Sequence, residues 1–218
     1  MPTVIKAELH EFHHWKFRFR PATAAPARLL VLLHGWTGDE NSMWGFARRL
    51  PPQVAVLAPR GLYSTPEGGF SWREILPGTW GLPVLEDFRR SADELIGFID
   101  DWSRSEGMSS TQIDLIGFSQ GAAFSFSLAL LHTERIRALA SLSGFLPRGA
   151  EDLLTGHPLA GKSVFIAHGR QDELIPVEEA RRSVALLKGS GAQVTYCESD
   201  GGHKVSVDCF SGLTDIFR

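Results

Sequence analysis

One serine lies where a strand-like segment meets a helix-like segment, with a glycine two positions away on each side. Gly117-Phe118-Ser119-Gln120-Gly121 joins the apolar run "IDLI" to the longer apolar run "AAFSFSLALL". Gly-x-Ser-x-Gly in this setting predicts a nucleophile elbow, a tight turn that holds the serine hydroxyl above a sheet. Bulkier side chains at Gly117 and Gly121 would collide with the neighbouring strand and helix. The alternative is an ordinary surface turn, and the flanking runs argue against it.

A serine hydroxyl attacks well only when a base accepts its proton. We predict His203 as that base, because "SDGGHKVS" places it in a glycine-rich loop after the last strand-like segment. Two other histidines, His34 and His168, precede glycine at strand ends, where a backbone turn explains them. The remaining five are interpreted as solvated; His10, His13 and His14 lie on the predicted edge strands, and His132 and His157 on the surface. The first three could suggest a metal site, but no carboxylate spacing supports one, so we expect no metal.

A carboxylate should orient the imidazole of the base. Asp172 follows the strand-like "SVFIAHG" in the loop "RQDELIP", which makes it our candidate. Glu173 is adjacent to it, and Asp200 lies close to His203 in sequence. A group only three residues from the histidine rarely reaches the far nitrogen of its ring, so Asp200 is the weaker alternative.

Two backbone N–H groups are expected to stabilise the oxyanion. One belongs to Gln120, at the start of the helix after the elbow. The other belongs to Trp36 in "LLHGWTGDENSM", where Gly35 allows a sharp turn after the first central strand. A plain turn is the alternative interpretation of "HGWTG".

Strands and helices alternate along the chain, which predicts an α/β layered fold. Short apolar runs typical of a buried parallel sheet occupy 28–35, 54–61, 113–119, 136–144 and 163–169, and 193–199 forms one more strand. Helical patterns cover 84–105, 120–133, 176–191 and 204–217. The N-terminal "TVIKAELHEFHHWKFRFR" alternates like an antiparallel pair of edge strands. We expect one domain over residues 1–218.

Composition narrows the class of protein. The net charge is −3 and basic residues are scattered, so no nucleic-acid or anionic-membrane partner is expected. The N-terminus lacks the pattern of a signal peptide, and no apolar run is long enough to span a bilayer. The two cysteines, Cys197 and Cys209, are interpreted as reduced thiols of a cytoplasmic protein, with a bridge between them as the alternative.

Taken together, "LLHGWTGDENSM", "GFSQGAAFS", "HGRQDELIPVEEA" and "GGHKVS" resemble the ordered motifs of the small carboxylesterase/phospholipase family of α/β-hydrolases. That family includes acyl-protein thioesterases, lysophospholipases and bacterial carboxylesterases. The resemblance extends from about residue 28 to residue 207. Trp36 departs from it, because relatives usually carry a smaller aliphatic residue there, and the N-terminal 27 residues match no motif.

The resemblance implies an α/β-hydrolase fold with a mostly parallel sheet and helices on both faces. It implies Ser119, Asp172 and His203 as a catalytic triad, with Trp36 and Gln120 forming the oxyanion hole. We therefore expect a serine carboxylesterase that acts on small-molecule esters. No cofactor is expected. The alternative activities are those of a thioesterase or a lysophospholipase. A peptidase and a non-catalytic binding protein are weaker alternatives. The oligomeric state is not indicated.

The segment 61–84 is long, irregular and rich in aromatic residues. A chain of 218 residues leaves no room for a large cap domain, so this loop should cover the site. We expect Phe70, Trp72 and Trp80, with Trp36, to wall a short pocket for short to medium acyl chains. Packing of these rings in the core is the alternative.

Overall fold

A computed structural model describes residues 8–23, 28–75 and 82–217. These residues build one eight-stranded sheet in the order β1-β2-β4-β3-β5-β6-β7-β8. The strands are β1 Leu9–Phe12, β2 Trp15–Arg20, β3 Arg28–Leu33, β4 Val54–Pro59, β5 Ile113–Phe118, β6 Ile136–Leu142, β7 Ser163–Gly169 and β8 Gln193–Ser199. β1 pairs antiparallel with β2, and β2 pairs antiparallel with β4. All the other neighbours are parallel, so the predicted N-terminal edge pair is present.

The central strands are apolar throughout because both faces of the sheet are covered. Alternate residues of β3 enter different clusters: Leu29, Val31 and Leu33 lie in one, and Leu30 and Leu32 lie in the other. The period of two along a strand explains this division.

Helices pack on each face of the sheet. α2 Arg89–Ser105, α3 Gln120–Leu131 and α5 Val177–Gly189 contribute to the first cluster. α1 Trp44–Ala47 and α6 Phe210–Asp215 lie with the second cluster. A short helix, α4 Glu151–Leu154, completes the set in the described ranges. No helix among the described residues is long and apolar enough to cross a membrane.

The segment after β4 is more ordered than expected. Tyr63–Ser64 and Phe70–Ser71 pair as a small antiparallel hairpin. This hairpin docks on the turn after β3, where the Phe70 N–H donates to the Gly38 carbonyl at 2.9 Å. The beginning of the segment is therefore fixed against the loop that follows the first central strand.

The interpretation of the two cysteines as reduced thiols is wrong. Cys197 and Cys209 form a disulfide with their Cα atoms 5.8 Å apart. Cys197 lies on β8, and Cys209 lies in the turn that precedes α6. The separation of 12 residues between the two cysteines does not indicate that they pair. They come together because the chain after β8 turns back toward that strand.

Candidate active site

Ser119 has a strained backbone at the junction of β5 and α3. Its φ is 54° and its ψ is −118°, in a region that residues other than glycine seldom adopt. Its N–H donates to the Leu142 carbonyl at the end of β6, at 2.9 Å. Ser119 also caps α3, because its carbonyl accepts from the Ala122 N–H at 3.0 Å. This is the sharp strand-to-helix turn that the sequence predicted.

The two flanking glycines permit the close contacts of this turn. A Cβ on Gly121 would lie within 3.0 Å of the carbonyls of Leu33 and His34. A Cβ on Gly117 would likewise lie within 3.0 Å of the Gly121 carbonyl and the Ser125 hydroxyl. The first turn of α3 therefore packs directly on the end of β3, with no room for a side chain.

His203 and Asp172 are in contact. The His203 Nδ1–H donates to Asp172 Oδ2 at 2.7 Å, and the carboxylate is fully buried while the imidazole is 18% exposed. Because Nδ1 carries the proton, the lone pair of the ring is at Nε2. The His203 ring also packs against Phe118, with the ring centroids 5.0 Å apart. His203 thus lies beside the residue that precedes Ser119.

The loop around Asp172 fixes the carboxylate. Asp172 Oδ1 accepts the N–H groups of Leu174 and Ile175 at 3.0 and 2.9 Å. The buried His168 donates from Nε2 to the Ile175 carbonyl at 2.8 Å, and the same nitrogen lies 3.4 Å from Asp172 Oδ2. His168 therefore contributes a side chain to this loop, where the sequence indicated only a backbone turn.

The two alternative acids face elsewhere. The carboxylate of Asp200 binds Arg170 at 2.5 Å and is 80% exposed. Glu173 is exposed as well. Asp172 is the one of the three candidates that is buried and bonded to His203.

The turn after β3 lies against the elbow. A Cβ on Gly35 would be 3.3 Å from the Cβ of Ser119. The Gly35 carbonyl accepts both the Gly38 N–H at 3.0 Å and the His34 Nδ1–H at 2.7 Å. In a trans peptide the next N–H points opposite to that carbonyl. The N–H of Trp36 is consequently directed away from the turn.

The buried side chain of His34 stabilises this turn. Its Nε2 accepts the Gly61 N–H at 2.9 Å, so the ring is neutral with its proton on Nδ1. Burial lowers the pKa of His34 to about 4, although the Gly35 carbonyl and the carboxylates of Asp39 and Glu40 oppose the shift. Like His168, His34 contributes a buried side chain that the pattern "HG" did not reveal.

A second group of residues supports the elbow from the hairpin side. The Gln120 side chain accepts the Trp72 N–H at 3.0 Å and donates to the Ser71 hydroxyl, also at 3.0 Å. The Trp72 indole donates to the His34 carbonyl at 2.8 Å. These contacts join α3, the hairpin and the end of β3. Local sequence patterns did not indicate these contacts.

The four aromatic residues expected to wall the pocket have different positions. Trp72 has no exposed surface and stacks on Phe124 with a centroid distance of 4.8 Å, so it is core and not wall. Phe70 lines a cavity of about 240 Å³ with Arg60, Leu62 and residues 14–16, around the start of β2. Trp36 is partly exposed, and Trp80 lies outside the described residues.

The three histidines expected on the edge strands show no metal-binding arrangement. His10 lies on β1, whereas His13 and His14 form the turn between β1 and β2. His10 stacks on Phe17 with a centroid distance of 5.4 Å. His14 lies 3.6 Å from the Glu94 carboxylate. In the part of the chain that is described, no group of three or more His, Cys, Asp or Glu residues could hold a metal ion.

The sheet order, the elbow and the surrounding loops define an α/β-hydrolase fold. The chain matches the phospholipase/carboxylesterase family over residues 18–215, and it belongs to that family.

Three known proteins illustrate the similarity. The chain is 31% identical to a "probable inactive carboxylesterase" of Oryza sativa, covering 81% of this chain and 78% of the relative. It is 29% identical to acyl-protein thioesterase 1 of Kluyveromyces lactis, covering 71% and 74% respectively. Among solved structures, a carboxylesterase from Mesorhizobium loti superposes with a TM-score of 0.78 at 25% identity, covering 97% and 98% of the two chains.

A methyl group at Gly121 should disrupt the elbow, whereas one at Gly97 should not. Gly121→Ala places its Cβ against two rigid carbonyls, so we expect a loss of about 1–3 kcal/mol in the free energy of unfolding, or failure to fold. Gly97 lies exposed in α2, and a Cβ added to it would have no atom within 4 Å, so Gly97→Ala should add about 0.5–1 kcal/mol. Urea unfolding of both variants measures the difference. Equal effects would contradict the packing described for Gly121.

The lowered pKa of His34 predicts a stability loss in acid. An unfolded histidine binds a proton near pH 6.5, whereas folded His34 resists protonation until about pH 4. The contribution of neutral His34 to the free energy of unfolding is therefore fully present above pH 6.5. It is lost as the pH falls toward 4, and the total loss is about 3 kcal/mol.

The matched control for this effect is His34→Gln, which cannot titrate in this range. Urea unfolding at several pH values should show a steeper decline for the wild-type chain than for the variant between pH 6.5 and 4. Parallel curves would mean that His34 is not held neutral in the folded state.

Proposed function

We propose that the chain is a serine hydrolase that cleaves carboxylic esters through an acyl-enzyme intermediate. The observation that carries the proposal is the 2.7 Å bond between His203 and the buried Asp172, beside the strained Ser119. The family of the chain supports the same chemistry, since the relatives compared above include a carboxylesterase and a thioesterase.

In the proposed reaction, Ser119 Oγ attacks the ester carbonyl while His203 Nε2 accepts the hydroxyl proton. Asp172 keeps the proton of the ring on Nδ1 and stabilises the imidazolium that forms. His203 then gives its proton to the departing alcohol, which leaves an acyl group on Ser119. Water, activated by the same nitrogen, hydrolyses this acyl-enzyme and restores the serine hydroxyl.

The negative charge on the carbonyl oxygen needs preorganised donors. We assign this role to the backbone N–H groups of Trp36 and Gln120. Gln120 begins α3, where N–H groups lack intrahelical acceptors and the helix dipole is positive. The Gly35 carbonyl is hydrogen-bonded within its own turn and Gly35 lies against Ser119, which supports the assignment of Trp36.

A thioester is the second candidate substrate, because the Kluyveromyces lactis relative is an acyl-protein thioesterase. The same groups would act, and only the leaving group would change from an alcohol to a thiol. A lysophospholipase would likewise use this machinery on a larger alcohol. A binding protein that has lost catalysis is the contrasting possibility, and the presence of Ser119, Asp172 and His203 argues against it.

The catalytic unit is proposed to be one domain, because all eight strands of the described sheet, from β1 near the N-terminus to β8, belong to one layer. A cytoplasmic location stays a prediction. The disulfide removes the free thiols that had supported it.

Ser119→Ala should abolish labelling by a fluorophosphonate probe and reduce kcat for p-nitrophenyl esters by about 10³-fold or more. The nucleophile is lost while the oxyanion donors remain. Circular dichroism should confirm that the variant stays folded. Retention of half the wild-type activity would refute the assignment of the nucleophile.

The acid can be tested with a matched pair of aspartates. Asp172→Asn should lower kcat by about 10³- to 10⁴-fold, because an amide stabilises the wrong imidazole tautomer. Asp200→Asn changes an exposed carboxylate bound to Arg170 and should leave kcat within about twofold. The reverse result would identify Asp200 as the acid.

Trp36 is proposed to limit the length of the acyl chain. Trp36 is partly exposed, and Gly35, which precedes it, lies against Ser119. We expect butyrate esters to react faster than palmitate esters. Trp36→Ala keeps the backbone N–H, so it should retain activity and shift the preference toward longer chains.

The matched control for the preference in acyl-chain length is Phe70→Ala, because Phe70 lines the cavity beside Arg60. This variant should leave the ratio of kcat/KM for butyrate and palmitate unchanged. A wild-type preference for palmitate that Trp36→Ala does not alter would contradict the proposed role of Trp36.

A further inference from the structure

The disulfide encloses the loop that carries His203. Cys197 lies near the end of β8, Cys209 lies 12 residues further along the chain, and His203 is midway between them. Both ends of this loop are attached to the sheet. Cys197 pairs in register with Ala167 of β7, and Cys209 is only 2% exposed within the cluster on the α1 and α6 face.

The part of the loop before His203 is held by the backbone of the Asp172 loop. The Arg170 N–H donates to the Ser199 carbonyl at 2.8 Å, and the Gln171 N–H donates to the Gly201 carbonyl at 2.9 Å. A Cβ on Gly169 would lie within 3.0 Å of the Gly201 and Gly202 carbonyls. Two loops that bear interacting side chains are therefore in direct backbone contact on this side.

Among the described residues, the part after His203 makes fewer and longer hydrogen bonds to the rest of the fold. The Ser143 hydroxyl donates to the Lys204 carbonyl at 3.3 Å. The Cys209 N–H donates to the Ser206 carbonyl at 3.3 Å, which is a bond within the loop itself. Val207 is 74% exposed. On this side the disulfide provides the covalent attachment to β8.

We propose that the Cys197–Cys209 disulfide positions His203, so that hydrolysis depends on the redox state of this pair. The inference rests on the proposed function, because it takes His203 as the base. Opening the bond removes the covalent link between the second half of the loop and β8. Non-covalent contacts, among them the packing of Val205 and Cys209, then hold this half, and the range of positions open to the imidazole becomes larger. A displacement of about 1 Å in a catalytic group can lower a rate by about 100-fold.

The reaction that opens the bond is thiol–disulfide exchange with a dithiol reductant. A thiolate attacks the sulfur of Cys197, which is the partly exposed member, and the sulfur of the buried Cys209 leaves. The second thiol of the reductant then attacks the mixed disulfide. Two electrons and two protons pass to the protein, which gains two thiols, and the reductant becomes a disulfide.

The test compares oxidised and reduced wild-type chains with p-nitrophenyl butyrate as substrate. Dithiothreitol supplies the dithiol, and a thiol reagent should count no free thiol before reduction and two after it, since the chain has two cysteines. We expect reduction to lower kcat by about 10- to 100-fold while KM changes by less than about twofold. Reoxidation should restore kcat in the same sample.

Two variants separate positioning from other effects. Cys197→Ser/Cys209→Ser should show the low kcat of the reduced chain and should not respond to dithiothreitol. In His203→Ala, the residual rate should be nearly equal before and after reduction, because the group that the disulfide positions is already absent. An equal fall in this background and in the wild-type chain would overturn the inference.

Folding is monitored by circular dichroism at the assay temperature. Loss of activity together with unfolding would also overturn the inference, because the bond would then hold the fold and not the histidine. An unchanged kcat after full reduction would overturn it while leaving the proposed function intact. Failure of the proposed function has a separate signature, namely an oxidised chain whose hydrolysis does not depend on Ser119.

Discussion

The contact between the start of α3 and the end of β3 is the constraint on which the rest of the site depends. Gly121 lies so close to the carbonyls of Leu33 and His34 that no side chain fits between them. This contact bends the chain sharply at Ser119 and brings the turn at Gly35 against the serine. One backbone approach therefore places the proposed nucleophile and both proposed oxyanion donors at the same edge of the sheet, where parallel strands of this fold class end.

Buried polar side chains then hold the loops that this contact brings together. His34 closes the turn after β3, and His168 closes the loop after β7. Both rings donate a hydrogen bond to a backbone carbonyl, and each residue lies directly before a glycine at a strand end. Gln120 links the elbow to the hairpin in the same manner. Because buried polar groups lose much when a partner is removed, such bonds favour one loop arrangement over the alternatives.

Sequence alone predicted the parts of the molecule that local patterns encode. The bounds of β7 and β8 are those expected, and β7 is an apolar run that ends in glycine. The pairing of His203 with Asp172 followed from their places after neighbouring strands. The cysteine pair and the burial of Trp72 were only alternatives in the sequence analysis, and the bond from Trp72 to Gln120 was not predicted. Each depends on how distant segments approach in three dimensions, and Trp72 and Gln120 are 48 residues apart. An aromatic residue in an irregular segment has the same local signature whether it covers a pocket or fills a core.

The backbone of Ser119 has an evolutionary consequence. A non-glycine residue with φ of 54° carries strain of about 1–3 kcal/mol, which the surrounding packing must offset. Glycine would tolerate the same conformation without that strain. Under the proposed function, the chemistry favours a serine here, whereas folding alone would favour glycine. A lineage released from the need to hydrolyse its substrate could discard the proposed nucleophile and gain stability, so scaffolds of this kind can outlive their activity.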